Sequence, residues 1–166
     1  SLGNSLNPSG ANSTFVTVEK TRPSDGNVYI ANDAIAESTS AATVWTFTNA
    51  LRVAGGGGTI VYAGLFTDQV ANVATYRLYL YSAAPTALQD NAETTFLYAN
   101  LASYLGYIDF PAASTDGSDT ANTQNLDVRL AFAAAGTSLF GMLEATLAFT
   151  PASGQKFYIQ LGVEQN

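Results

Sequence analysis

Short runs of alternating side chains, each closed by Gly, Pro, Asn or Asp, recur from Thr14 to Val163. This period of two constrains the fold more than any other feature, because it puts successive side chains on opposite faces of a strand. Tyr76, Leu78 and Leu80 form one face of a run whose other face is Arg77, Tyr79 and Tyr81. Pro85 ends that run, since it cannot donate to a central ladder. Leu105, Tyr107 and Asp109 then oppose Gly106, Ile108 and Phe110, and Leu126, Val128 and Leu130 oppose Asp127, Arg129 and Ala131. The stretch from Ala74 to Phe110 thus holds two strands joined by a turn and a short helical crossing near Ala99 to Tyr104.

Further strands are expected at Thr14–Thr21, Val28–Ile30, Thr43–Asn49, Thr59–Phe66, Ser138–Phe149 and Lys156–Val163, the last with Phe157, Ile159 and Leu161 on one face. Trp45 and Phe47 share a core face. Asn32 to Ser40 and Ala112 to Asn125 read as loops, and Gly64 as a bulge. About nine short strands with at most one short helix define an all-β chain, an antiparallel β-sandwich of jelly-roll type. No repeat of 20 to 50 residues points to a solenoid or propeller. Residues 14–166 form the sandwich domain. Residues 1–13, rich in Ser, Asn and Gly, form an N-terminal arm with Leu2, Leu6 and Pro8 as its large apolar anchors. The arm reads either as a disordered terminus or as a segment that orders against a neighbour through its two leucines.

Composition narrows function by exclusion. Only 11% of the 166 residues are charged, against roughly 25% in ordinary domains. Such depletion also marks the centres of protein interfaces, which favours an assembly over a monomer. Thirteen acids against six dispersed bases give a net charge of −7, so no nucleic-acid binding is expected, since phosphate contacts need clustered Lys and Arg. No apolar run reaches the roughly 18 to 20 residues of a membrane span, and the N-terminus carries no signal-peptide pattern. With no His and no Cys, Ser-His-Asp and Cys-His catalysis, thiolate metal sites and disulfides are excluded. A pair of carboxylates could still hydrolyse a glycoside. Asp109 and Glu144, both in expected strands, are the first to examine, although each also reads as a plain strand acid.

Two motifs dissolve on inspection. The four glycines Gly55 to Gly58 lack the Lys and Ser/Thr of a phosphate-binding loop, because Thr59 and Ile60 follow. They read instead as a flexible hairpin connection between Leu51–Ala54 and Thr59–Phe66. Asp116 and Asp119 lack the further acids and closing Glu of a calcium loop. No catalytic residue, metal or cofactor is therefore expected. The tyrosines carry more information: six of the nine lie between Tyr76 and Tyr107, and tyrosine suits protein interfaces and sugar stacking alike.

The order YRLYLYSAAPTALQDNA, then YLGYIDF, then SLFGMLEATLAFTPASGQKFYIQL resembles a family of small proteins of tailed bacteriophages, generally encoded beside the major capsid protein. The resemblance spans about Phe15 to Val163. Its most specific pieces are Leu80–Thr86, Tyr104–Asp109 and Thr150–Gly154. It implies a head decoration, or cement, protein: a β-sandwich, often a homotrimer, bound to the outer capsid surface and bridging major capsid protein subunits. It implies no catalytic or metal residues. The expected partners are accordingly the major capsid protein and further copies of this chain, met through Leu2, Leu6, Pro8, Tyr79 and Tyr81. The protein would be made in the bacterial host cytoplasm and end in the virion. The alternative is a carbohydrate-binding or fibre-tip adhesion domain using exposed tyrosines or Trp45.

Overall fold

Alternation along eleven strands sorts the chain into two packed antiparallel sheets. The computed structural model describes residues 13–70, 74–115, 117 and 119–166. The first sheet contains β1 (Ser13–Thr21), β4 (Gly57–Thr67), β7 (Ser114–Thr115), β8 (Ala121–Asn125), β9 (Leu130–Ala133) and β11 (Lys156–Gln165), in the order β1-β11-β4-β8-β7. β9 shares the edge of β4 with β8. The second sheet contains β2 (Asp33–Ile35), β3 (Trp45–Phe47), β5 (Tyr76–Tyr81), β6 (Tyr104–Phe110) and β10 (Leu139–Ala145), in the order β2-β10-β5-β6, with β3 sharing the edge of β10. The helical crossing is a 3-10 segment, Tyr98–Ser103.

The inner faces meet as the pattern predicts. Tyr76, Leu78 and Leu80 from β5, and Ile108 and Phe110 from β6, pack against Phe157, Ile159 and Leu161 of β11 with Ile60 and Leu65 of β4. Burying a large aliphatic or aromatic side chain contributes about 1.5–3 kcal/mol, so this face fixes the strand faces. Trp45 and Phe47 are core, and the Trp45 indole N–H donates to the Ile35 carbonyl at 3.1 Å.

Several expectations change. Gly57 and Gly58 are not a hairpin turn but the start of β4, paired to β9 (Gly58↔Phe132) and, through Gly58↔Gln165, to β11. A Cβ on Gly58 would lie 2.9 Å from the Glu164 carbonyl, so neighbours on both sides require the missing side chain. Leu51–Ala54 form no strand. The bulge in β4 falls at Val61, skipped between Gly162↔Tyr62 and Val163↔Ile60, while Gly64 pairs regularly. The two expected loops contain β2, β7 and β8, and Val28–Ile30 reduces to one bridge, Tyr29↔Phe149. β9 starts only at Leu130, leaving Leu126 at 67% exposure. The strand from Ser138 ends at Ala145.

The long connection between β5 and β6 folds back beside β2. Asn91 donates its N–H to the Ala34 carbonyl, Ala34 to Ala92, and Thr94 to Asn32, at 2.7–3.0 Å. Asp90 pins it from within: its Oδ1 accepts from the Tyr29 hydroxyl at 2.6 Å and the Ala36 N–H at 3.0 Å, and Oδ2 lies 3.9 Å from the Arg22 guanidinium. Burial raises the Asp90 carboxyl pKa, against the lowering effect of Ala36, Tyr29 and Arg22. Arg22, itself buried, also donates to the carbonyls of Pro23, Asp25 and Ala152.

Candidate functional site: an aromatic shelf on the outer face of the second sheet

Three cross-strand rows run over β10, β5 and β6 on the face turned from the core: Glu144–Arg77–Asp109, Met142–Tyr79–Tyr107 and Phe140–Tyr81–Tyr104. The third row depends on a backbone irregularity. Leu80 pairs with Gly106 but Tyr81 pairs with Tyr104, so Leu105 is an extra residue in β6. Gly106 takes φ +135°, a conformation other residues rarely adopt. This bulge turns Leu105 toward the core and re-aims Tyr104 onto the tyrosine face. Unbroken alternation, as expected from the sequence, would have done the opposite.

The rings interlock. Tyr81 and Tyr104 lie 5.4 Å apart between centroids, Phe96 meets Tyr104 edge-on at 4.6 Å, and Tyr79 sits 6.1 Å from both Phe96 and Tyr107. Arg77 donates to both carboxylate oxygens of Asp109, at 2.7 and 3.1 Å, and stacks 3.9 Å from the Tyr107 ring centroid. The Asp109 hydrogen bond raises the Arg77 pKa further, despite partial burial. Burial likewise raises the hydroxyls of Tyr79 and Tyr104, and pushes Tyr81 up to about 12 with help from Tyr104 and Tyr79. These three phenols stay protonated at neutral pH, so they carry no charge into the face.

Beside these rows the chain leaves apolar side chains in solvent. Tyr98 is 87% exposed, and Phe96, Leu97, Leu101 and Tyr107 are exposed too. The 3-10 segment buries none of its residues. Core packing gives no reason for large apolar groups here, and contiguous exposed apolar surface marks interaction sites.

Of the residues singled out in the sequence, Tyr79 lies half-buried in the middle row and donates to Glu144 at 3.4 Å. Tyr81 is fully buried, so it forms the floor of the shelf rather than its surface. Leu2, Leu6 and Pro8 lie outside the described residues, as does Asp116. Phe96, Leu97 and Leu101 were missed, although Phe96-Leu97-Tyr98 stand as three large apolar residues in an otherwise polar stretch. Asp109 and Glu144 share a row at two strand spacings, about 10 Å, with Arg77 between them and bonded to Asp109. Among the described residues, no group of three or more His, Cys, Asp or Glu is placed to hold a metal ion, and no helix is long and apolar enough to cross a membrane.

No protein-family model and no curated protein sequence matches the chain. Solved structures similar to it include the cyanophage Pam1 capsid asymmetric unit, at 10% identity and a TM-score of 0.38 over 91% of this chain and 81% of that one. The tomato aspermy virus structure is similar at 9% identity and a TM-score of 0.32, over 96% and 81%. The Clostridium thermocellum xylanase 10B CBM22-1-GH10 modules are similar at 12% identity and a TM-score of 0.30, over 93% and 26%.

Proposed function

We propose that this is a non-enzymatic structural protein of a tailed-phage head: a decoration protein that binds the outer capsid surface as an oligomer and bridges major capsid protein subunits. The observation that carries this reading is the exposed aromatic shelf, built on β6, which holds the Tyr104–Asp109 piece, and on β5, at whose end the Leu80–Thr86 piece begins. Its phenols are neutral donors, its one guanidinium is already paired, and its rings offer wide contact area. Those features suit a protein surface, where aromatic residues are enriched and unpaired charge is depleted. The remaining surface is poor in charge, and the net charge of −7 opposes a place against packaged DNA. Several weak contacts per oligomer, each standard or smaller in size, would add to a stable attachment across capsomer joints. The protein would be made in the host cytoplasm and added to the shell.

A carbohydrate-binding or adhesion role is the second reading: the indole of Trp45 is buried at 2% exposure and offers no sugar platform, so that role would fall to the exposed rings of Tyr98 and Tyr107. The test is occupancy on particles lacking this protein. Paired substitution of Tyr98→Ser and Leu101→Ser, neither of them buried, should lower occupancy at least about tenfold while the thermal transition stays in place. Unchanged occupancy would remove the shelf from the proposal, and glycan-array binding without particle binding would favour the adhesion reading.

A further inference from the structure

On one flank of the sandwich the edges of β1 and β3 lie side by side, and among the described residues no strand runs between them. Among the described residues β1 pairs only with β11, and β3 only with β10. A groove of about 430 Å³ lies between them, bordered by Val18, Lys20, Glu37, Thr43, Val44 and Thr46. Its one base is already paired, and the remaining acid on its border, Glu19, is exposed to solvent. Lys20 Nζ donates to Glu37 Oε2 at 2.5 Å, to the Thr43 carbonyl at 2.8 Å and to Thr43 Oγ1 at 2.9 Å. What the groove offers is two half-buried valines, Val18 and Val44, beside a strand edge. That edge is regular: β1 keeps one unbroken register over its nine residues, from Ser13↔Glu164 to Thr21↔Lys156, with no Pro and no bulge. Natural sheets normally blunt such an edge, and one left straight is a template for a further strand.

We propose that the occupant is the segment Leu2–Pro8 of a second copy of this chain, added along β1 in the groove. The segment fits by chemistry. Leu2 and Leu6 stand four residues apart, so on a strand they share one face, which matches a groove with two apolar contacts. Residues 1–12 contain no charged side chain, as a groove with a closed ion pair requires. Pro8 has no N–H to donate and ends the added strand. The twelve residues before β1 reach at most about 40 Å, more than the roughly 30 Å length of β1 itself. A segment joined to one β1 and seated on the next makes a head-to-tail contact, which gives a ring where the rotation between copies closes and a filament where it does not. This placement rests on the assembly reading above and names the partner of the arm within it.

The chain has no cysteine, so engineered thiols report proximity cleanly. Full-length Leu6→Cys is mixed with full-length Val44→Cys and oxidised, with Thr46→Cys as the substitute partner should Val44→Cys fold poorly. The expected result is a disulfide-linked heterodimer, together with a self-association midpoint that rises roughly tenfold when residues 1–12 are removed. If a chain carrying both Leu6→Cys and Val44→Cys instead closes a disulfide within itself, the segment belongs to its own β1 and the proposal falls. An oligomer that forms without the cross-link and survives the truncation overturns this placement but leaves the assembly reading standing. A chain that stays monomeric at every concentration and does not bind particles overturns both.

Discussion

At the scale of single residues, the half-buried Glu37 and the buried Asp90 respond to pH in opposite directions. Burial disfavours the ionised Glu37, but bonds from Lys20 and Thr43 outweigh it and hold the carboxyl near about 2. Its contribution is therefore present above the ordinary carboxylate range and is lost as pH falls from about 4.5 toward 2. Glu37→Gln should cost on the order of 2 kcal/mol at pH 7 in urea unfolding, a difference that vanishes near pH 2. Asp90 is raised, so its contribution is favourable at acidic pH and is lost as pH rises through its folded-state pKa. Asp90→Ala leaves the Ala36 N–H and the Tyr29 hydroxyl without their acceptor, while Arg22 keeps Asp25, and should cost about 2–3 kcal/mol. Asp90→Asn keeps an acceptor for Tyr29 and Ala36, and should cost less than half of that at neutral pH. Tyr81 offers a sharper test of its expected partner role, because its buried hydroxyl has no hydrogen-bond partner among the described residues. Tyr81→Phe should leave stability unchanged or slightly raised. If it lowers particle occupancy as well, the hydroxyl meets a partner and Tyr81 is more than the floor of the shelf.

At the scale of elements, the Leu105–Gly106 bulge decides whether the aromatic shelf exists. Gly106→Ala would strain φ +135° and bring a Cβ to 3.2 Å from Leu130. It should cost about 1–3 kcal/mol, and the ring-shifted proton resonances of Tyr104 and Phe96 should move. Unchanged spectra would show that the bulge is not what holds Tyr104 outward. This element also marks where the sequence could and could not be read. β5 and β11 were legible because one face meets the core and the other does not, so alternation survives in the residue order. β2 was hidden because all three of its residues are buried, with the Asn91–Thr94 backbone lying along its edge, which erases the period. β8 was hidden because its inward residues are Ala121 and Thr123, too small or polar to announce a core face. The glycines of β4 suggested a turn on propensity alone, and only strands far off in sequence, at Phe132 and Glu164, explain them. The tyrosine-rich stretch was legible as a cluster of rings, whereas the exposed Tyr98 could not be separated from the buried Tyr81 without knowing how the connection after β5 folds back.

At the scale of the whole molecule, the sandwich carries an aromatic shelf on the second sheet and a groove along the edge of β1. In the proposed arrangement the shelf meets the capsid shell and the groove meets the next copy, so loss of either contact should release the protein while the fold stays intact. Particles carrying the protein should accordingly withstand heating or low ionic strength better than particles without it, through multivalent attachment rather than one tight site. The most direct measurement is electron cryomicroscopy of the native particle at a resolution that fits this sandwich into density. The sandwich is expected on the outer head surface, over joints between major capsid protein subunits, with Tyr98 and Tyr107 toward the shell. Density for it at a tail fibre tip, inside the shell, or absent from the particle would contradict the account.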